Sequence, residues 1–115
     1  MPIKMLEQMI TQAELLELAK ERFGDLVKAV VDMASGRMAV GGELHADMEA
    51  LFLEQGCKQT DLWGINLYPE KSEEDFAEFD SMINVRPSQG NRSRGVEDVK
   101  IQKDILEIVA RWVQR

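Results

Sequence analysis

The C-terminal segment constrains the fold of this 115-residue chain most, because its apolar residues recur at helical spacing along two adjacent stripes. One stripe holds Ile101, Ile105, Ile108 and Trp112, and the neighbouring stripe holds Leu106, Val109 and Val113. So wide an apolar face must cover a sheet or meet a partner. Asp98 precedes the pattern, and because aspartate is a favoured N-cap residue we expect the helix to begin there.

Two further helices are predicted nearer the N-terminus. A T-x-x-E capping box begins at Thr11, and Gly24 suits the left-handed residue that follows a last helical turn. The first helix is therefore expected between them. A short second helix is predicted over 48–54, with Asp47 as its N-cap and Gly56 as its stop.

The remaining apolar segments are typical of strands. A valine-rich run, a turn and a short return predict a β-hairpin over 26–41. Apolar and polar residues alternate over 62–68 and again over 77–85, which predicts a second hairpin. A short edge strand is expected around 3–6. Apart from that edge strand, the element order is α-β-β-α-β-β-α.

This order predicts one α+β domain over 1–115, with a single mostly antiparallel sheet of about four strands and the helices packed on one face. A chain of this length buries enough surface to form a hydrophobic core without metal or disulfide support. The sequence shows no internal repeat.

Composition narrows the classes of partner and compartment. The formal net charge is −7, which argues against binding to duplex DNA, whose affinity comes mostly from lysine and arginine contacts to phosphate. No apolar run approaches the ~20 residues that cross a bilayer, so no membrane association is expected. The N-terminus lacks a signal-peptide core, and the one cysteine, Cys57, fits a reducing compartment. We expect a cytoplasmic protein.

The arginine loop (residues 86–95) is the segment where the sign of charge changes most abruptly. No acid lies between Asp80 and Glu97, and a glycine-containing turn there can present backbone N–H groups beside planar guanidinium groups. The start of the last helix adds further unpaired N–H groups. An anion site is therefore predicted, with these ligand-binding residues: Arg86, Ser88, Asn91, Arg92 and Arg94. The alternative is that these arginines pair with acids of the body and only hold the loop in shape.

His45, the only histidine, and Asp80 are the candidate catalytic residues. His45 lies between two acids after a Gly-Gly break, so it is a candidate general acid or base, or else a hydrogen-bonded histidine at a helix entrance. No metal site is predicted, because zinc would need more cysteine or histidine ligands. If Asp80, His45 and the arginine loop meet in one cleft, the arrangement suits phosphodiester cleavage or transfer.

Three blocks of the sequence carry a resemblance to a known family. The segments GGELHAD (41–47), DLWGINLYP (61–69) and INVRPSQGNRSRGVED (83–98) resemble a small bacterial and archaeal domain family of unknown function. The similarity covers nearly the whole chain. Because that family is uncharacterised, the resemblance implies no catalytic residue, cofactor or partner.

Two functions therefore stay open. The first is binding of an anionic ligand by the arginine loop: a phosphorylated metabolite, a nucleotide or a short RNA, with no cofactor predicted and catalysis by His45 and Asp80 left open. The second is a non-enzymatic interaction module, in which Trp112 and Val113 of the terminal helix pack on another protein or on a second copy in a homodimer.

Overall fold

The computed structural model describes residues 3–115 as a five-stranded sheet with three helices. The strands are β1 (Lys4–Met5), β2 (Ile10–Thr11), β3 (Val27–Asp32), β4 (Arg37–Val40), β5 (Leu62–Leu67), β6 (Ala77–Glu78) and β7 (Val113–Gln114). The helices are α1 (Gln12–Arg22), α2 (His45–Glu54) and α3 (Val99–Trp112). The sheet has the order β1-β4-β3-β5-β6 and every neighbouring pair is antiparallel, while β2 and β7 form a separate parallel pair. The predicted α+β class and the mostly antiparallel sheet are confirmed.

The helices do not all pack on one face of the sheet, so that part of the prediction is wrong. On β3, Ala29 and Val31 pack in the same cluster as the buried residues of α1 and α3. Val30 points the other way and packs with Met48 and Phe52 of α2. Because the central strands are apolar on both faces, each face needs a cover, and α2 supplies the second one.

The ends of α1 and the start of α3 follow the sequence signals closely. Thr11 Oγ1 accepts from the Glu14 N–H at 3.1 Å, and the Glu14 carboxylate accepts from the Thr11 N–H at 2.9 Å, which completes the predicted capping box. That backbone hydrogen bond lowers the pKa of Glu14. Gly24 has φ +94° after α1, and Asp98 caps α3 by accepting from the Lys100 N–H at 2.8 Å.

The α3 stripe covers the sheet of its own chain. Ile105 and Ile108 are buried in the larger core cluster, and the Trp112 Nε1–H donates to the carbonyl of Gly36 at 2.7 Å. Among residues 3–115, no helix is long and apolar enough to cross a membrane.

Both predicted hairpins form, but the second is shorter than expected. β5 and β6 pair only at Asn66–Glu78 and Leu67–Ala77, and the chain then leaves the sheet for a 3-10 turn at Met82–Asn84. The Asn84 side chain continues the pairing instead: its Oδ1 accepts from the Gly64 N–H at 2.8 Å and its Nδ2 donates to the Gly64 carbonyl at 2.9 Å. A side-chain amide thus replaces the peptide group of a longer strand.

The sheet and α2 also differ from the prediction at their ends. The expected edge strand near 3–6 is β1, which adds a fifth strand to the sheet. α2 begins at His45, three residues before the predicted start, and its N-cap Leu44 makes no side-chain cap hydrogen bond. The earlier start places the histidine within the first helical turn.

Candidate functional site

A cavity of about 190 Å³ lies beside Asn66 of β5 and the start of α2. It is here called the Gly64 cavity, after the glycine against which its lining residues His45 and Ser81 pack. Its charged and polar lining residues are Lys28, His45, Asn66, Asp80, Ser81 and Arg94. They come from β3, α2, β5 and the segment after β6, so the fold assembles them from parts distant in sequence.

His45 is the buried imidazole of this cavity, with 7% of the residue exposed. Its Nε2 lies 2.8 Å from the carbonyl oxygen of Ile65, and because a carbonyl only accepts, the proton resides on Nε2. Nδ1 then carries the lone pair, and it has no hydrogen-bond partner among residues 3–115. Burial lowers the pKa of His45, with the positive charge of Lys28 acting in the same direction and the Ile65 hydrogen bond opposing both. The imidazole is therefore neutral at pH 7.

Gly64 allows the imidazole to approach the sheet. A Cβ at this position would lie 2.6 Å from Ser81 Oγ and 3.1 Å from His45 Cδ2. Ser81 is 1% exposed, and its Oγ accepts from the Ile83 N–H at 3.2 Å. Any side chain larger than hydrogen would push the serine or the imidazole out of place.

Asp80 and Arg94 form an ion pair at the edge of the cavity. Arg94 Nε lies 2.7 Å from Asp80 Oδ1, and both side chains are about half exposed. Such a pair contributes little to stability, because solvent screens it. The Arg94 backbone is fixed more firmly, since its carbonyl accepts from the Ser81 N–H at 3.0 Å and from Asn84 Nδ2 at 2.9 Å. The Arg94 backbone is therefore held against residues 81–84, and Arg94 lines the same cavity as His45.

Asn66 is a lining residue whose amide oxygen is buried without a partner among the described residues. Its Nδ2 donates to the Glu78 carboxylate at 2.9 Å, which fixes the orientation of the amide. The Tyr68 hydroxyl donates to the same carboxylate at 2.8 Å, and the two hydrogen bonds lower the pKa of Glu78. Burial, followed by this contact, raises the pKa of Tyr68 to about 12.

Arg86 does not line this cavity. Its guanidinium donates to the carbonyls of Gln59 and Leu62 and lies 4.3 Å from the centre of the Trp63 ring. Burial lowers the pKa of Arg86, and its Nε is buried without a partner. The side chain therefore secures the entry into β5.

Asn91 organises the interior of the arginine loop. It is 4% exposed, and its Nδ2 donates to the carbonyls of Asn84 and Gly95, each at 2.8 Å, and of Ser93 at 3.1 Å. Its Oδ1 accepts from the Glu97 N–H at 2.8 Å. Every polar atom of this amide is used by the chain itself.

The backbone donors of the arginine loop already hold an anion, the carboxylate of Glu97. Glu97 Oε2 accepts from the N–H groups of Arg92 and Ser93, both at 2.8 Å, and these two bonds lower the pKa of Glu97. The side chains of Ser88 and Arg92 are exposed on the outside of the loop and do not line the Gly64 cavity.

The structure thus brings together three residues named from sequence, His45, Asp80 and Arg94. It places the other four elsewhere: Arg86, Ser88, Asn91 and Arg92. Sequence reasoning missed Lys28 and Asn66, which are cross-strand partners on β3 and β5. Two polar residues at matching positions inside strongly apolar strands are the signal that could have found them.

Within the described part of the chain, no group of three or more histidine, cysteine, aspartate or glutamate side chains could hold a metal ion. Residues 4–112 match a family described as "Protein of unknown function (DUF5674)", which confirms the uncharacterised domain family expected from the sequence. No curated protein and no solved structure matches the chain.

Proposed function

Since the chain belongs to this DUF5674 family, whose function is unknown, we propose from the site alone that the protein binds a small anionic ligand in the Gly64 cavity. Lys28 and Arg94 are the cationic contacts, and His45 is the neutral polar contact. The observation that carries the proposal is that one cavity of an acidic protein collects two cations and the only histidine. Clefts of this kind, with converging polar groups and a perturbed pKa, are typical ligand sites.

The local charge supports the same ligand class. Lys28 and Arg94 outnumber the one acid of the lining, Asp80, so the cavity is positive at its wall while the whole chain has a formal charge of −7. Charge-assisted hydrogen bonds from guanidinium and ammonium groups to phosphate or carboxylate oxygens are the strong ones in proteins.

A catalytic form of this proposal is phosphodiester hydrolysis or transfer. The neutral imidazole of His45 has its Nε2–H held by Ile65, so Nδ1 can accept the proton of an attacking hydroxyl or water. Arg94 would stabilise the negative charge that develops on phosphate, with Asp80 holding the guanidinium in place. For a nucleotide or short RNA, Ser88 and Arg92 remain the proposed outer contacts, while Arg86 and Asn91 act through the shape of the arginine loop.

Titration with inorganic phosphate and with acetate tests the binding proposal. Binding is measured by calorimetry and by the chemical shifts of the His45 imidazole resonances. Because the chain has one histidine, this signal needs no assignment by mutation. Arg94→Gln is expected to weaken binding about tenfold or more, since it removes a charge-assisted contact. Arg92→Gln is the matched control, because that side chain is exposed outside the cavity. Unchanged His45 resonances at saturating levels of both anions would contradict the proposal.

Hydrolysis of bis(para-nitrophenyl) phosphate tests the catalytic form separately. We expect turnover by the wild type to be lost in His45→Gln, with circular dichroism showing that the fold persists. Asp47→Asn, an exposed change on the same helical turn, is the control and should keep wild-type turnover. Equal rates in wild type and His45→Gln would refute catalysis by His45 and leave the binding proposal standing.

The interaction-module alternative has less support in the fold. Trp112 donates to Gly36 and Val113 pairs with Ile10, so the residues named for a partner are engaged within the chain. Homodimerisation stays a prediction, and light scattering of the wild type tests it. A cytoplasmic location also belongs to the proposal and is supported by the free thiol of Cys57.

A further inference from the structure

We infer that the preferred ligand of the Gly64 cavity is a small monocarboxylate with an apolar body. This inference rests on the proposed anion site and narrows it to one ligand chemistry. Three features of the cavity carry it: its size, the balance of charge in its wall, and the apolar side chains at its mouth.

The size of the cavity excludes a nucleotide as the fully enclosed ligand. A volume of about 190 Å³ holds about six groups the size of a water molecule, at roughly 30 Å³ each. A carboxylate with three or four methylene groups fills that space. A nucleoside monophosphate, with a base and a sugar as well as its phosphate, exceeds that space.

The charges in the wall favour a ligand with one negative charge. Lys28 and Arg94 carry two positive charges, Asp80 removes one of them, and the imidazole of His45 is neutral. Glu78 holds the Asn66 amide but does not line the cavity, so the wall keeps one net positive charge. A phosphate monoester with two negative charges would exceed the remaining positive charge, whereas a carboxylate matches it.

The mouth of the cavity is apolar. Leu44 and Met82 both line it, and they remain 55% and 67% exposed. Leu44 also occupies the N-cap position of α2, where a polar residue would accept a hydrogen bond from the helix, and it makes no such bond. Two large apolar side chains exposed at the opening of the cavity offer a contact surface for hydrocarbon, while Lys28 and Arg94 of the lining hold the anionic group of the ligand.

A homologous series of sodium carboxylates, from acetate to hexanoate, tests the inference against inorganic phosphate. Dissociation constants are taken from the His45 imidazole resonances of the intact chain. Affinity is expected to rise for each added methylene group, about twofold if the group is partly buried and about fourfold if it is fully buried. Leu44→Gln combined with Met82→Gln should flatten this rise.

Leu53→Gln is the control, because Leu53 is a 42% exposed leucine of α2 that does not line the cavity. This variant should retain the full dependence of affinity on the length of the carboxylate. Affinities that are equal across the series, or phosphate binding more tightly than hexanoate, would overturn the inference while the anion site itself stands. If neither phosphate nor any carboxylate shifts His45, the anion site and the inference both fall.

Discussion

Substitution of Gly64 by alanine probes how tightly the site is built. The new Cβ would lie 2.6 Å from Ser81 Oγ, 2.7 Å from Ser81 Cβ and 3.1 Å from His45 Cδ2, so at least one neighbour must move. Neither moves freely. Ser81 is held by its backbone bond to the Arg94 carbonyl and His45 by its bond to the Ile65 carbonyl.

Overpacking of this kind costs about 1–3 kcal/mol, and the held neighbours place Gly64→Ala toward the upper end of that range. For a domain of this size about 4 °C of melting temperature corresponds to each kcal/mol, so a fall of about 4–12 °C is expected. Thermal and urea unfolding followed by circular dichroism measure it. The His45 resonance should shift in the same variant, because the imidazole is displaced.

Gly95→Ala is the matched control, since the Cβ there would meet only ordinary contacts at 3.4 Å and 3.6 Å. It should change stability by less than about 0.5 kcal/mol. Adding Ser81→Gly to Gly64→Ala vacates the crowded space, so the double variant should lose less stability than the sum of the two single changes. A Gly64→Ala protein as stable as wild type, with an unshifted imidazole, would refute the packing described for the site.

Further predictions concern the loop and the titratable groups. Asn84→Ala should cost about 2–4 kcal/mol in urea unfolding, because it leaves the peptide groups of Gly64 and the Arg94 carbonyl short of partners. Because its hydrogen bonds in the folded state lower the pKa of Glu97, this carboxylate stabilises the fold fully at pH values above its ordinary pKa of 4.5. The stabilisation is lost as the pH falls through the folded-state pKa. Glu97→Gln should therefore lose less stability on acidification than wild type, as urea titrations across that range would show. Arg86→Leu should lower the melting temperature and change Trp63 fluorescence, whereas an unaltered emission spectrum would contradict the stacking.

The local elements of the fold could be predicted because their signals lie within a few residues of one another. The capping box at Thr11, the α3 stripe and the hairpin of β3 and β4 depend on near neighbours in sequence, and all three form as expected. The placement of α2 on the opposite face could not be predicted in the same way. Val30 and Leu62 need a cover there, and only the three-dimensional arrangement shows which helix supplies it.

The alternating pattern over 77–85 predicted a longer strand than the one that forms. Its apolar and polar residues alternate as in a strand, yet Asn84 satisfies Gly64 with its side chain and the backbone turns away. An amide side chain that substitutes for a peptide group leaves no periodic signal in sequence.

The candidate site could be predicted from the sequence only in part. His45, Asp80 and Arg94 stood out by residue type, and the structure brings them to one cavity. Glu97 occupies the backbone donors of the arginine loop. This contact could not be predicted, because the sequence of a loop does not specify its hydrogen bonds.

The pKa of His45, measured by nuclear magnetic resonance with and without saturating hexanoate, tests the central claim most directly. In the free protein the titration midpoint should lie below the ordinary value of 6.5, because burial disfavours the charged imidazole. A bound carboxylate beside the ring should raise that midpoint, and Arg94→Gln should weaken the effect at a given ligand concentration. A midpoint that hexanoate leaves unchanged in the wild type would contradict an anion site in the Gly64 cavity.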